Sequence, residues 1–189
     1  MTIGQGEASS GKPLPIGGVM SEYWDLYDEE RRLLGRTHRR GVPLAEGTYH
    51  VVVAVWTVNS DGKLLLTLRS RDKDLFPCLW ENTSGSVLSG EESRQAALRE
   101  LEEETGIVAG DDQIEFVGTA VKAASFVDIY LVTLTAGQDV VRLQEGETVD
   151  WRWVTLPELD RMFEEGLLAF PLSYQFPHFR AIIEGRWRT

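Results

Sequence analysis

Between Glu91 and Glu104 the chain places six glutamates, in the run GEESRQAALRELEEETG. On a helix, like charges three or four positions apart repel, at about 0.2–0.5 kcal/mol per pair. Such a cluster either faces solvent or surrounds a cation. At about 100° per residue, Ala97, Leu98 and Leu101 share one arc and form a stripe expected to be buried. Glu100, Glu103 and Glu104 fall in the neighbouring arc, with Glu104 closest to the apolar edge. Carboxylates this close stay ionised together only when a positive charge sits among them. Hard cations such as Mg2+ are held by carboxylate oxygens, with waters and substrate phosphates completing the octahedron. The bland alternative is a solvated acidic helix in which Arg94 and Arg99 are intrahelical partners.

The helix that presents these groups has readable ends. Ser89 followed by Glu92 is a capping-box spacing and predicts a start there. Thr105-Gly106 predicts the stop. Before it, EYWDLYDEERRLLGRTHR predicts two short strands around an acidic turn. TYHVVVAVWTV and KLLLTLRS predict two more, separated by the turn residues NSDG at 59 to 62. After it, IEFVGTAV, FVDIYLVTLT and VDWRWVT read as strands. LPELDRMFEEG reads as a helix with Pro157 in its first turn and Gly166 at its end, and a last helix covers much of SYQFPHFRAIIEG. The order predicts a mixed sheet with helices on its faces, an α/β fold. Residues 1–20, rich in Gly and Pro, read as a flexible leader before a single domain over 21–189.

With 189 residues and a net charge of -11, the chain is unsuited to binding a nucleic-acid polymer or an anionic membrane. A small anionic substrate would need locally placed cations or a metal ion. Cys78 is the only cysteine, so an internal disulfide is excluded and a reducing, cytoplasmic setting is expected. No apolar run has the length of a membrane span, and the N-terminus lacks a signal-peptide layout.

The glutamate run extends to a stricter pattern, G-x5-E-x7-R-E-U-x-E-E-x-G-U with U aliphatic. Gly85, Glu91, Arg99, Glu100, Leu101, Glu103, Glu104, Gly106 and Ile107 fill every fixed position. This resembles the Nudix box, the signature of the Nudix hydrolases. The resemblance implies an α/β/α sandwich, here with an N-terminal strand arm, that hydrolyses a diphosphate in a small molecule using Mg2+ or Mn2+. By position in the motif it implies Glu100, Glu103 and Glu104 as metal ligands, joined by the Gly85 carbonyl. Arg99 would orient the carboxylates, and Glu91 would support the loop or the metal shell. Family members often recruit a further carboxylate from outside the box. Among Glu145, Glu147 and Asp150, Glu147 has the family's usual spacing to Trp153. Homodimers are frequent in the family, so a homodimer is among the implied partner states.

The likeness extends from about Tyr23 to Trp187. LLLTLRSRDKDLFPCLWENTSG is similar to part of type 1 isopentenyl diphosphate isomerase, a Nudix relative. There Arg69 and Lys73 match cations that grip the diphosphate, a use that suits a bidentate guanidinium and a mobile ammonium. Three departures count against isomerase chemistry. Ser84 stands where the isomerase has its catalytic cysteine, and Ser86 where it has a metal-binding histidine. Phe126 and Asp128 replace its strand carboxylate pair, so one carboxylate is missing. Cys78, beside Pro77, reads as a packed core residue.

The arm holds Arg31, Arg32, Arg36, His38, Arg39 and Arg40, read first as a solvated strand face and second as collectors of an anionic substrate. His38 and His50 would be metal ligands only on the isomerase pattern; His50, in a strand, reads as structural. A non-catalytic, effector-binding Nudix domain is the remaining alternative, although such domains commonly lose box glutamates. Trp56, Phe76, Trp80 and Phe126 are the candidates for stacking on the substrate's variable group, and each is a core residue by default.

Overall fold

The computed structural model describes residues 21–122, 124–144, 146 and 148–187, without the side chains of residues 178, 183 and 185–187. The expected leader and the candidates Glu145 and Glu147 lie outside the described residues.

The arm is an antiparallel hairpin, β1 (Tyr23–Tyr27) and β2 (Leu33–Arg39). Its acidic turn is closed by Asp28, whose carboxylate accepts from the backbone N–H groups of Glu30 and Arg32 and from Nε of Arg32. The main sheet contains β3 (His50–Val58), β4 (Leu64–Arg69), β5 (Trp80–Glu81), β6 (Thr83–Ser86), β7 (Ile114–Lys122), β8 (Ser125–Thr133) and β9 (Thr148–Val154). The core path runs β5-β4-β3-β8-β7, with β6 also on β3 and β9 also on β4. Between β3 and β4, Asn59 folds the turn by accepting from the backbone of Asp61 and Lys63, and Gly62 takes φ 72°.

Strand β3 is the centre of the molecule, parallel to β8 from His50↔Ser125 to Val58↔Thr133 and antiparallel to β6. Its side chains alternate between the two faces. Val51, Val53 and Val55 pack with Ala96, Ala97 and Leu101 of helix α1 (Ser93–Thr105). Ala54, Trp56 and Val58 meet Leu159 and Met162 of α2 (Leu156–Glu164) and Leu172, Phe176 and Phe179 of α3 (Phe170–Trp187). A mixed sheet covered by helices on both faces is the expected α/β/α sandwich. The stripe of α1 is shifted slightly from the expected one, because Ala96 is buried and Leu98 only partly so.

Helix ends follow the predicted stops better than the predicted starts. α2 has a full capping box between Thr155 and Glu158, with Pro157 in its first turn. α1 ends as expected at Gly106, φ 68°, whose N–H donates to the Glu102 carbonyl. Its start is four residues later than Ser89, with Glu92 and Gln95 forming the reciprocal cap. Ser89 is diverted, since its hydroxyl donates to Asp25 of the arm at 2.7 Å.

Cys78 corrects the expectation of a packed core residue. It is exposed, with φ 59°, in the connection between β4 and β5, where Phe76 also has φ 52°. Both residues flank Pro77, and the backbone turns outward there. Of the stacking candidates, Trp56, Trp80 and Phe126 are buried, while Phe76 is exposed and lies on Phe170 with ring centroids 6.0 Å apart.

His50 stacks under Trp24 of the arm, with centroids 4.0 Å apart and planes 11° apart. Burial, reinforced by the charge of His38, lowers its pKa to about 4. The native state therefore holds the neutral imidazole, whereas an unfolded histidine titrates near 6.5. Stability from this contact is complete above about pH 6.5 and is lost as pH falls towards 4. Denaturation midpoints should fall through that window in the wild type and fall less in His50→Gln. Equal slopes in the two proteins would remove His50 as the cause.

Candidate active site

The residues singled out from the helix converge because two local structures meet. β6 pairs with β3 through Gly85↔Val53 and Ser84↔Ala54, which lays the Gly85 backbone beside α1. A cavity of about 280 Å³ opens there, lined by Gly85, Arg99, Glu100, Glu103 and Glu104 together with Arg69 and Lys73. The lining also includes Ser84 and Ser86, and among the described residues neither a cysteine nor a histidine contributes to it.

Arg99 organises the carboxylates. Its Nε and Nη2 donate to the two oxygens of Glu91 at 2.8 and 3.0 Å. Nη1 donates to Glu100 at 2.8 Å and to Glu103 at 3.1 Å, and Nη2 also reaches the Ser86 carbonyl at 3.1 Å. This is a fork geometry that lysine cannot reproduce. The carboxylates surrounding the guanidinium raise its pKa, so it is always charged. Glu91 stands behind Arg99 and also accepts from the Leu88 N–H at 3.0 Å, anchoring the loop before α1. Burial pushes its carboxyl up, but the hydrogen bonds from Arg99 and Leu88 outweigh that and leave it lowered. Glu100 goes the other way. Its burial outweighs Arg99, and the charges of Glu103 and Glu22 raise it further. Glu103 is half exposed, and Oε2 of Glu104 is buried.

Gly85 is needed for space. A Cβ built on it would lie 1.9 Å from Cδ of Glu100 and 2.1 and 2.3 Å from its oxygens. Only a bare backbone can approach that carboxylate, and the approach places a peptide next to it.

A divalent cation fits this donor set in kind. Three clustered carboxylates and a neighbouring peptide carbonyl are hard oxygen donors of the sort Mg2+ and Mn2+ take. Among the described residues, however, no three acidic, histidine or cysteine side chains stand ready around a single metal position. The physical reason is Arg99, which draws oxygens of Glu100 and Glu103 to itself. A metal would share these carboxylates with Arg99.

Arg69 and Lys73 both line the cavity, as the sequence suggested. Arg69 is partly committed, because Nη1 donates to both oxygens of Glu81 at 2.7 Å and Nε to the Leu75 carbonyl at 2.9 Å. His38 and His50 do not line the cavity. His38 Nε2 lies 2.8 Å from the Val42 carbonyl, and His50 lies under Trp24. Asp128 is also elsewhere, buried and held by Nη1 of Arg31 at 2.7 Å and by the Thr119 hydroxyl at 2.7 Å. Burial works against its charge, but the hydrogen bonds from Arg31, Thr119 and Ser93 outweigh it and keep the carboxyl lowered. Arg31 is therefore a buried-charge partner, and the reading of the arm as a solvated face fails at that residue.

Glu22 and Glu81 line the cavity without having been anticipated, and Arg40, one of the arm cations read only secondarily as a collector of an anionic substrate, lines it too. Arg40 carried a signal, its place in the run of arm cations, whereas Glu22 and Glu81 carried none: that Trp80, Glu81 and Asn82 are all buried is visible only in the fold.

The NUDIX domain family matches residues 48–172 of the chain. An uncharacterized Nudix hydrolase of Listeria monocytogenes is 39% identical over 151 residues, covering 77% of this chain and 86% of the relative. An isopentenyl-diphosphate Delta-isomerase of Paenarthrobacter aurescens is 28% identical over 163 residues, covering 80% and 87%. The crystal structure of DR0079 from Deinococcus radiodurans superposes with a TM-score of 0.70 at 23% identity, covering 83% of this chain and 98% of that one, a likeness of fold. With its intact glutamate motif seated in the polar cavity, and with the family match spanning most of the sheet, the chain belongs to the Nudix hydrolase family.

Proposed function

We propose that the protein is a Mg2+- or Mn2+-dependent pyrophosphohydrolase of a small organic diphosphate, formed by a single domain over residues 21–189 and acting in the cytoplasm. The observation that carries this reading is the single cavity in which Arg99 gathers the box carboxylates while Arg69 and Lys73 supply positive charge. Glu100, Glu103, Glu104 and the Gly85 carbonyl would hold the cation. When bound, it would neutralise the diphosphate and lower the pKa of a water. Arg69 and Lys73 would bind the substrate phosphates, Arg99 would hold the carboxylate oxygens in register, and Glu91 would fix Arg99. Glu147 is proposed as the base from outside the box. Isomerisation is disfavoured, because Cys78 faces solvent in another loop and Ser84 occupies the acid's place beside Gly85.

The test is release of phosphate or pyrophosphate from a panel of nucleoside diphosphate derivatives, dinucleoside polyphosphates, nucleotide sugars and prenyl diphosphates with Mg2+. Release should fall to background on chelation, and the best substrate defines the variable group. Tight binding of a panel member with no product would make the domain an effector binder. Double-bond migration in isopentenyl diphosphate would make it an isomerase.

A further inference from the structure

We propose that the N-terminal arm completes the active site, with Arg40 as a substrate-binding cation that exchanges its Glu22 carboxylate partner for the diphosphate. This inference rests on the hydrolase reading above. The hairpin precedes the matched domain, which starts at residue 48. Its two ends nevertheless line the same cavity as Gly85, Glu100 and Glu103. Those ends are joined to each other: the Arg40 N–H donates to the Glu22 carbonyl at 2.9 Å, and Nη1 of Arg40 to the Glu22 carboxylate at 2.6 Å.

The arm is fastened where it stands. Asp25 accepts from the Ser89 hydroxyl at 2.7 Å and the Gly90 N–H at 2.8 Å, and the Ser89 N–H donates to the Tyr23 carbonyl. These bonds tie the hairpin to the loop that leads into α1. Trp24 on His50 and Arg31 on Asp128 fix it at two further points. Arg40 thereby follows directly on a hairpin docked at several points, which places its backbone at the cavity.

The chemistry of the cavity explains why a diphosphate needs it. Arg99 is taken up by three glutamates, and Arg69, which with Lys73 faces the substrate, shares its charge with Glu81, so Arg40 adds a further cation to the pair proposed above. The side chains of Arg40 and Glu22 are 61% and 42% exposed, so their pairing is screened by water and readily exchanged. A phosphate offers the same guanidinium a bidentate, doubly charged partner. Substrate would displace Glu22 from Arg40, and the arm would then contact the diphosphate directly.

The experiment compares Arg40→Gln, Arg40→Lys and Glu22→Gln with wild type on the best substrate of the panel, and measures inorganic pyrophosphate binding with Mg2+ by calorimetry. Arg40→Gln should raise KM and the pyrophosphate Kd at least tenfold, with kcat within about threefold of wild type. Arg40→Lys should recover part of the loss, and Glu22→Gln should lower KM. Unchanged KM and Kd in Arg40→Gln would overturn the role of the arm while leaving the hydrolase reading intact. A fall in kcat with unchanged KM would overturn it too, as would a lower melting temperature in Arg40→Gln with normal binding in the folded fraction. If the wild type hydrolyses nothing in the panel, the hydrolase reading fails, and pyrophosphate binding still decides for or against Arg40.

Discussion

Glu103→Gln is expected to lower kcat about a thousandfold, with the protein still folded. A metal-assisted step is worth several kcal/mol of transition-state stabilisation, and each 1.36 kcal/mol is tenfold in rate. The substitution keeps the size of the side chain and removes the charge that a hard cation requires. Its cost to the fold is small, because the Glu103 side chain is 52% exposed and its bond to Arg99 is an i,i+4 pair at 3.1 Å. Exposed pairs of this kind contribute between about 0 and 1 kcal/mol. Steady-state turnover with Mg2+ and a thermal melt on the same sample separate the two effects. Turnover within threefold of wild type would remove Glu103 from the reaction. A collapse of the melting temperature would make the glutamate cluster a structural device.

Gly85→Ala should be nearly as damaging to activity, by about a hundredfold, for a different reason. The new methyl would occupy the place of the Glu100 carboxylate, whose nearest atom is 1.9 Å from the ideal Cβ. The backbone of β6 is held by its ladder to β3, so the side chain must move. Glu100 is the end of a flexible chain, and its displacement relieves the clash without breaking the sheet. The melting temperature should therefore change by a few degrees only. Displacing Glu100 also takes it from Arg99, so the variant tests whether the clustered arrangement itself, beyond the presence of the charges, is needed. Wild-type kcat in Gly85→Ala would show that the position of Glu100 is unimportant, and aggregation in place of a folded product would show that β6 cannot shift around it.

The motif was legible because everything in it is local. Gly85, Glu91, Glu100, Glu103 and Glu104 lie in one continuous stretch whose helical period places the charges, and the cavity is lined by all of them except Glu91, which stands one layer behind. The longer strands and all three helices were also legible from alternation and caps. β5 and β6, with two and four residues, are too short to show a period. What the pattern could not show is what depends on distant partners. Ser89 looked like a helix cap until Asp25, 64 positions earlier, took its hydroxyl. Cys78 looked buried on residue type alone, and a left-handed backbone at a proline turn put it outside. Glu22, Arg40 and Glu81 share no motif with the box, and only sheet pairing and the docking of the arm bring them to it.

The Arg31–Asp128 contact has a consequence for how the chain is made. The two residues are 97 positions apart, so the arm leaves the ribosome well before the strand that receives it. At synthesis rates of about 5–20 residues per second, roughly 5 to 20 s pass before Asp128 exists. During that interval the guanidinium has no buried partner, and Trp24 waits for β3 to form beneath it. Long-range closures of this kind come late in folding, because loop entropy is lost before the contact returns anything. The arm, made before the sheet that receives it, is thus among the last elements to be fixed. Because it brings Glu22 and Arg40 to the cavity, a nascent or partly folded chain would hold the glutamate cluster before it acquires the arm's charges.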